Sequence, residues 1–165
     1  MESQPHWLWL YNQESGELSV KLSEENSCQI AYKPSQLVNI HFERSELDIE
    51  DATVFQSTTE LLEGYPSDKL PCAIDDAALH AMAWKRFGRP QMPQSWHFQK
   101  SDITEWSEER RLCELNSGFD QGLFMIIDAD DEFASCVLLD ESMQLSAIKT
   151  MRQFQVIKVT LNRLL

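Results

Sequence analysis

The sequence predicts an α+β protein whose N-terminal part mixes strands with helices and whose C-terminal part is all β. Three observations support this. The chain opens with strand patterns, two helical patterns follow, and only short strand-like runs separated by polar turns occur after Pro93. We therefore expect an α/β domain at residues 1–92 and an all-β domain at residues 93–165.

The first strands are indicated by their apolar and alternating patterns. "WLWLY" at residues 7–11 and "LSVKL" at 18–22 flank the polar "NQESGE", and this arrangement predicts a β-hairpin. "CQIAY" at residues 28–32 is a candidate third strand. Pro34 ends it and can begin a short helical turn.

Two helices are predicted from apolar residues that recur at helical spacing. The first begins near Asp48, with further acidic residues in its first turn, and ends at Gly64. The second has Asp75 or Asp76 as its candidate N-cap and Gly88 as its candidate stop.

The C-terminal part is predicted from a series of β-rich runs: "SWHFQ", "RLCELN", "GLFMIIDA", "FASCVLLD", "SAIKTM" and "FQVIKVTLNRLL". The stretch "RPQMPQSWHF" (residues 89–98) lies at the boundary between the two parts, and its prolines favour extended backbone at the residues before them. In a strand, Trp96 and Phe98 would point together into the core, with His97 on the other face.

The chain is strongly acidic, with 14 Lys+Arg against 27 Asp+Glu and a net charge of -13. Such a surface repels nucleic-acid phosphates, so we expect no nucleic-acid partner. No apolar run reaches the roughly 18 residues that cross a bilayer, and the N-terminus has no signal-peptide pattern. We expect a cytoplasmic protein without membrane insertion, whose cysteines are reduced and pack as small apolar residues.

The acidic segment "DADDE" at residues 128–132 resembles the start of a calcium loop. Such a loop needs glycine at its sixth position and glutamate at its twelfth, where this chain has Phe133 and Leu139. Both flanks have strand patterns. We therefore interpret the segment as a hairpin turn.

Motifs for catalysis, cofactors or metals are not found in the sequence. The histidines form no HxxxH or HxH pair, the cysteines form no CxxC pair, and GxSxG and glycine-rich phosphate loops are missing. Capping explains the paired acids Asp75 and Asp76 better than catalysis does. Motifs therefore give no positive evidence for an enzyme, and we expect no cofactor or metal.

Basic residues are scarce, so their positions are informative. Three lie at the end of the second predicted helix, at Lys85, Arg86 and Arg89. Others recur through the last strands, at Lys149, Arg152, Lys158 and Arg163. A helix dipole and a solvated strand face explain these positions as well as a binding surface for an acidic partner does.

Three segments resemble the ZapC family of bacterial cell-division proteins: "IDDAALHAM" (residues 74–82), "RPQMPQSWHF" (89–98) and "IKVTLNRL" (157–164). The paired Trp7 and Trp9 before a hairpin are similar too. The resemblance extends over most of the chain, and the "PQMPQSWHF" block is its most specific part.

The resemblance implies a non-enzymatic protein that binds the tubulin-like GTPase FtsZ, bundles its polymers laterally and so stabilises the Z-ring at midcell. It also implies a twisted, barrel-like C-terminal domain, an apolar pocket in the first domain and a basic-rimmed apolar pocket in the second. Since bundling needs two filament contacts per unit, we expect either two sites on a monomer or weak self-association.

Residue by residue, the resemblance assigns partner contacts to Arg89, ahead of "PQMP", and to Arg163, in "NRL". Gln94 stands where a second basic residue often occurs in the family, so one positive charge is missing there. Lys158 or Lys100 can compensate for it. An acidic and apolar peptide, such as the C-terminal tail of FtsZ, would suit such a surface.

The remaining assignments are to the hairpin and to the domain boundary. Val20 and its neighbour Leu22 fall on the hairpin that lines the apolar pocket of the family. We expect the boundary stretch to form a rigid seam and one wall of the C-terminal pocket, with these structural residues: Pro90, Met92, Pro93, Trp96 and Phe98.

Two other functions are compatible with the residues. One is a small-ligand-binding or enzymatic module with a cleft at the seam, near His97 and Asp75. A thermal shift with nucleotides or metabolites would favour it. The other is an adaptor for a different acidic protein, which a pull-down without FtsZ would favour.

Overall fold

The computed structural model describes residues 6–103 and 105–165. The chain forms two compact units, Met1–Pro90 and Gln91–Leu165. A sheet with two helices in the first unit and sheets in the second confirm the predicted α+β class. Within the described part of the chain, no helix has the length and apolar character needed to cross a membrane.

The N-terminal unit contains a four-stranded antiparallel sheet with the strand order β3-β2-β1-β4. Its strands are β1 (Leu8–Asn12), β2 (Glu17–Lys21), β3 (Ser27–Gln29) and β4 (Arg44–Glu46). The first two form the predicted hairpin. Gly16 in its turn has a φ of +71°, a conformation that favours glycine. The predicted third strand is present but ends at Gln29.

The first helix, α1 (Ile49–Glu63), begins as predicted. The Asp48 carboxylate accepts the N–H of Asp51 at 2.8 Å, and the Asp51 carboxylate accepts the N–H of Asp48 at 3.0 Å. Two backbone donors that have no partner inside the helix are thereby satisfied. Gly64 follows the last residue of the helix, as predicted.

The second helix, α2 (Ile74–Phe87), corrects one prediction. The N-cap is Ala73 rather than Asp75 or Asp76, which lie in the first turn. Acidic side chains interact favourably with the helix dipole anywhere in that turn, so the pattern locates the helix but not its first residue. Gly88 ends it as predicted, and its N–H donates to the Trp84 carbonyl at 2.8 Å.

Aromatic contacts join the sheet to both helices. The Trp7 ring meets Phe55 of α1 edge to face at 5.2 Å between centroids, and the Trp9 ring meets Phe87 of α2 at 5.0 Å. All four side chains are buried, together with Val20 on the same face of the sheet. Such aromatic pairs contribute about 0.5–1.5 kcal/mol beyond the burial of their area.

The C-terminal unit is built from strands and two short 3₁₀ helices. The strands are β5 (Leu112–Asn116), β6 (Gln121–Ala129), β7 (Phe133–Leu138), β8 (Ser142–Gln144), β9 (Thr150–Arg152) and β10 (Val156–Thr160). Four of them form an antiparallel sheet in the order β10-β7-β6-β5, and β8 pairs with β9 in a separate ribbon.

The expected barrel is not found: in the described residues the main sheet stays open between β5 and β10. Each outer strand is covered by irregular chain instead. On β5, Glu114 and Leu165 exchange two backbone hydrogen bonds of 3.0 Å, and on β10 the Lys158 carbonyl accepts the N–H of Gln94 at 2.8 Å. Segments that cover both edges limit further strand pairing without closing the sheet.

Two predicted strands are wrong. "SWHFQ" contains a 3₁₀ helix, Ser95–His97, because the chain turns back on itself where the N–H of Phe98 donates to the Ser95 carbonyl at 3.0 Å. Most of "SAIKTM" is the turn between β8 and β9. There the N–H of Leu145 donates to the Lys149 carbonyl at 2.8 Å, and this contact closes a tight hairpin.

The "DADDE" segment is the turn between β6 and β7, as predicted. The Asp130 carboxylate accepts the N–H groups of Glu132 and Phe133, both at 2.8 Å. These bonds stabilise the charged form and lower the pKa of Asp130. Among residues 6–103 and 105–165, no three or more His, Cys, Asp or Glu side chains are gathered as metal ligands would be.

An apolar cluster forms the core of the C-terminal unit. It includes Phe98, Leu115, Phe124, Leu138 and Leu164. Cys113 and Cys136 are free thiols buried in this cluster, so these two pack as apolar residues, as predicted. A hydrogen bond with Cys113, together with burial, raises the pKa of the Cys136 thiol.

Candidate functional site

The chain from residue 91 to 97 runs beside β10 in the same direction. Three hydrogen bonds follow one another along the two segments: Gln91 Nε2 to the Val156 carbonyl at 2.9 Å, Gln94 N–H to the Lys158 carbonyl at 2.8 Å, and Thr160 N–H to Ser95 Oγ at 2.8 Å. The outer edge of β10 is thereby covered, and side chains from both segments form one surface.

Three of the predicted contact residues meet on this surface. Gln94 is joined to Lys158 through the backbone, and the guanidinium Nε of Arg163 donates to the Ser95 carbonyl at 3.1 Å. Arg163 also donates to the Asn162 side chain at 2.8 Å. The 3₁₀ helix Leu161–Arg163, which directly follows β10, brings Arg163 back to the Gln94 segment.

Both cations on this surface are partly exposed. The Lys158 ammonium lies 5.1 Å from the centre of the Phe133 ring. This cation–π contact positions the lysine while leaving its charge at the surface. We define the cationic edge as Gln94, Lys158 and Arg163.

Two large apolar side chains stand out next to the cationic edge. Met92 is 81% exposed and Trp96 is 71% exposed, whereas Phe98 is 5% exposed and packs against Phe124. The prediction that Trp96 anchors the core is therefore wrong. A 3₁₀ helix turns its side chains with a period of three rather than two, so Trp96 and Phe98 need not share a face.

The prolines of the boundary stretch lie in different units. Pro90 is exposed at the end of the first unit, and Pro93 is half-buried in the second. Arg89, also in the first unit, is exposed. Its N–H donates to the Gln36 carbonyl at 2.8 Å and its Nε to the Ser35 carbonyl at 2.9 Å. These bonds hold the backbone of Arg89 and one side of its guanidinium.

The two hairpin residues differ in accessibility. Val20 is completely buried, between Trp9 and Cys28 in the register of the sheet, so it can influence a partner only through the shape of the hairpin. Leu22, just after β2, is half-buried. Its carbonyl accepts a hydrogen bond from His6 Nε2 at 3.0 Å. Leu22 is therefore the residue of this pair that a partner can touch.

The cations at the end of α2 do not act as one cluster. Arg86 points inwards: its Nη1 lies 2.6 Å from the Asp51 carboxylate and 3.6 Å from that of Asp48. Asp51 is only 3% exposed and also accepts the Trp9 indole N–H at 3.0 Å. This network holds the N-terminal unit together. No sequence pattern indicates this network, because only the fold brings Asp51 and Arg86 into contact.

The histidines do not form a catalytic site. His80 is buried, with Nδ1 against the Asp76 carbonyl at 2.7 Å and Nε2 accepting the N–H of Ala31 at 3.0 Å. Accepting that bond requires a neutral Nε2, and burial lowers the pKa of His80. Partial burial, and secondarily the charge of Lys149, lowers the pKa of His97. Neither arrangement pairs a nucleophile with a base.

A cavity of about 660 Å³ lies in the C-terminal unit, and its lining includes Asp130 and Leu161. Trp106, Arg110 and Arg111 line one part of it and Asp128 another. Arg110 stacks on Trp106 at 4.3 Å, and burial lowers the pKa of Arg111. Among the described residues, the lining of this cavity includes none of Gln94, Lys158 and Arg163.

Two family models match the chain, and together they span it. The model described as "Cell-division protein ZapC, N-terminal" matches residues 1–89, and the model described as "Cell-division protein ZapC, C-terminal" matches residues 90–165. The change from one model to the next falls within the "RPQMPQSWHF" stretch.

Curated relatives agree with these matches. The chain is 72% identical over 165 residues to "Cell division protein ZapC" of Idiomarina loihiensis, covering 100% of this chain and 90% of that protein. It is 33% identical over 168 residues to the protein of the same name from Shewanella oneidensis, covering 98% and 90%. The protein of that name from Vibrio vulnificus is 31% identical over 160 residues, with 96% and 87% covered.

Proposed function

The chain belongs to the ZapC family of non-enzymatic cell-division proteins, and we propose that it binds FtsZ polymers and bundles them laterally, stabilising the Z-ring. One observation carries this proposal. On a chain of net charge -13, Lys158 and Arg163 lie beside the exposed side chains of Met92 and Trp96. A surface that is both cationic and apolar suits an acidic and apolar segment of a partner.

Short-range contacts must drive this binding. FtsZ filaments are themselves acidic, so the net charge of the chain opposes their approach. Screening limits that repulsion to about 8 Å at physiological salt, so contacts at the cationic edge act once the surfaces meet. A hydrogen-bonded arginine–carboxylate pair contributes about 1.5–3 kcal/mol, which corresponds to roughly 10- to 100-fold in affinity.

Bundling requires each unit of the bundling protein to hold two filaments. We propose the cationic edge as one contact and the exposed Arg89, with Leu22 of the hairpin, as the source of a second contact on the N-terminal unit. Weak self-association of the protein would also let each bundling unit contact two filaments. Along a polymer, a high effective concentration of sites converts weak single contacts into stable bridging.

The proposal includes a cellular setting. The protein would act in the cytoplasm, be recruited to the division site at midcell by FtsZ, and need neither nucleic acid nor membrane insertion. The domains proposed for these roles are residues 1–92 and 93–165.

Sedimentation tests the proposed function. Purified FtsZ is polymerised with GTP at physiological salt, with and without this protein. The proposal expects the protein in the pellet and an increased polymer mass. A protein that stays in the supernatant, with polymer mass unchanged, would refute direct binding, and ligand screening would then be the next step.

A further inference from the structure

Large apolar side chains are exposed mainly in the C-terminal unit. Of the five in the described residues, four belong to residues 91–165. Besides Met92 and Trp96 they are Phe119, 59% exposed, and Ile148, 97% exposed. Single exposed apolar residues are common, but several on neighbouring loops indicate an interaction surface.

Phe119 and Ile148 lie on two turns that are joined to each other. Phe119 is in the turn between β5 and β6, and Ile148 is in the turn between β8 and β9. At the base of the second turn, the Gln144 carbonyl accepts the Ser117 hydroxyl at 2.6 Å, and the Gln144 N–H donates to the Asp120 carboxylate at 3.1 Å. These two hydrogen bonds fix the position of one turn relative to the other.

The same turns lie next to the chain that follows Trp96. The N–H of Gln99 donates to the Asn116 carbonyl at 2.8 Å, next to the turn that carries Phe119. Lys149, directly after Ile148, is close enough to His97 for its charge to act on the imidazole. Trp96, Phe119 and Ile148 thus border one end of the C-terminal unit.

Charge distinguishes this end from the rest of the acidic chain. Lys149 lies near His97, and Arg163 donates to the Ser95 carbonyl, so both cations adjoin the chain that carries Trp96. The nearest acid on the turns, Asp120, is occupied by backbone N–H groups, since it accepts those of Gln144 and Gln121. A carboxylate that approaches Trp96 would meet these two cations.

We infer that Phe119 and Ile148 extend the proposed FtsZ-binding surface into an apolar strip that starts at Met92 and Trp96. The strip takes an extended acidic segment of the partner that carries at least two bulky apolar residues. The cations bind the carboxylates of this partner segment. Phe119 and Ile148 on the two turns contact the apolar side chain of the segment that lies farthest from the cationic edge. This inference rests on the proposed function, and it names the kind of partner segment that the site takes.

The test replaces the two turn residues by serine, singly and together. Both turns are built by other groups: the N–H of Phe119 donates to Ser117 Oγ, and the N–H of Ile148 donates to Ser146 Oγ. The variants Phe119→Ser and Ile148→Ser should therefore fold. Ile49→Ser is the matched control, because Ile49 is 86% exposed but lies in the N-terminal unit.

Binding to FtsZ polymers is measured by sedimentation titration, with full-length FtsZ and with FtsZ lacking its C-terminal tail. Each turn variant should weaken binding about 10-fold, and the double variant more, because each side chain loses the burial it gains in the complex. Ile49→Ser should bind like the wild type. Loss of wild-type binding when the tail is removed would identify the tail as the bound segment.

The outcomes separate the two ideas. If both turn variants bind as tightly as the wild type while Arg163→Glu binds weakly, the strip is refuted and the cationic edge stands. If Ile49→Ser weakens binding as much as the turn variants do, the strip is also refuted, because an exposed apolar residue outside the strip then contributes equally to binding. A wild-type protein that fails to bind FtsZ refutes both the strip and the proposed function.

Discussion

The end of α2 and the edge of β10 carry similar basic residues but use them differently. At the end of α2, Arg86 turns inwards to the buried carboxylate of Asp51. Along β10, Lys158 and Arg163 stay at the surface, where a ring and a backbone carbonyl position them. Basic residues of the same type therefore neutralise a buried acid in one unit and remain at the surface in the other.

The physical distinction is the burial of the partner group. Asp51 is removed from water, so its charge must be compensated inside the protein, and Arg86 does so. Lys158 and Arg163 have no buried acid to compensate in the described contacts. Both side chains lie at the surface, Lys158 close enough to the exposed Asp130 for its charge to act on that carboxylate, and substitutions should separate the two roles.

Replacing Arg86 should give the largest effect, and it falls on stability. Arg86→Met leaves the Asp51 carboxylate buried without its cation, and breaking a buried ion pair costs about 3–5 kcal/mol. Urea unfolding measures this change. Arg89→Met, at an exposed position three residues further along the chain, is the matched control. Equal stability of Arg86→Met and the wild type would contradict the internal role of Arg86.

Reversing the charge of Arg163 should weaken partner binding while changing stability little. Arg163→Glu places a carboxylate where an acidic segment is expected, so affinity for FtsZ polymers should fall roughly 10- to 100-fold. The substitution removes the side-chain hydrogen bonds to Ser95 and Asn162, which contribute about 0.5–1.5 kcal/mol each to stability. Unchanged co-sedimentation at physiological salt would remove Arg163 from the partner surface.

Arg89 tests whether the end of α2 also contacts the partner. Arg89→Glu should weaken FtsZ binding about 10-fold, because it reverses the charge at the proposed contact. Tm should change little, because Arg89 is exposed and its backbone hydrogen bond to Gln36 is kept, while only the side-chain bond to Ser35 is lost. Sedimentation and thermal unfolding of the same preparation measure both quantities. A large fall in Tm would class Arg89 with Arg86 as a structural residue.

Acid should destabilise the N-terminal unit through His80. Burial lowers the pKa of His80 in the folded state. As the pH falls through about 6.5, the unfolded chain therefore binds more protons than the folded protein, and the free energy of unfolding decreases. The decrease ends at the lower pH where His80 is protonated in the folded protein as well. The slope is at most about 1.4 kcal/mol per pH unit. Urea unfolding between pH 7.5 and 5.5 measures it.

His97 provides the contrast to His80. It is much more exposed, so His97→Gln should retain most of the acid-induced loss of stability. Partial burial and, secondarily, the charge of Lys149 lower its pKa. If His97→Gln abolished the pH dependence, its source would lie in the C-terminal unit.

Adding a charge at Gln94 should give the smallest effect. Gln94 contacts β10 through its backbone N–H, so Gln94→Lys should preserve the fold. A third cation on the edge should strengthen FtsZ binding by a few-fold and make it more sensitive to salt. Titrations at low and physiological salt measure both changes. Tighter binding that did not depend on salt would contradict an electrostatic origin.

Local patterns were sufficient for much of the fold. The alternation around Val20 predicted a strand that buries it, and the acids near Asp48 predicted the start of α1. The turn at "DADDE" followed from two missing calcium-loop positions. In each case the signal and the structure involve residues only a few positions apart, so short-range sequence carries the information.

The candidate site was predicted only in part. Gln94, Lys158 and Arg163 were named from the resemblance, and the structure brings them together. Trp96 was expected in the core and is exposed, because a 3₁₀ helix replaces the expected strand. Phe119 and Ile148 were not identified, although an apolar residue inside a turn sequence is a signal that could have found them.

The sequence by itself determined the α+β class, the hairpin, both helices, the C-terminal strands β5, β6, β7 and β10, and the family. Tertiary structure alone decided that Arg86 faces Asp51, that the sheet stays open rather than closing into a barrel, and that Trp96 faces solvent. The physical reason is distance along the chain. Periodicity and capping act within a few residues, whereas the burial of a charge or the covering of a strand edge depends on groups tens of residues away.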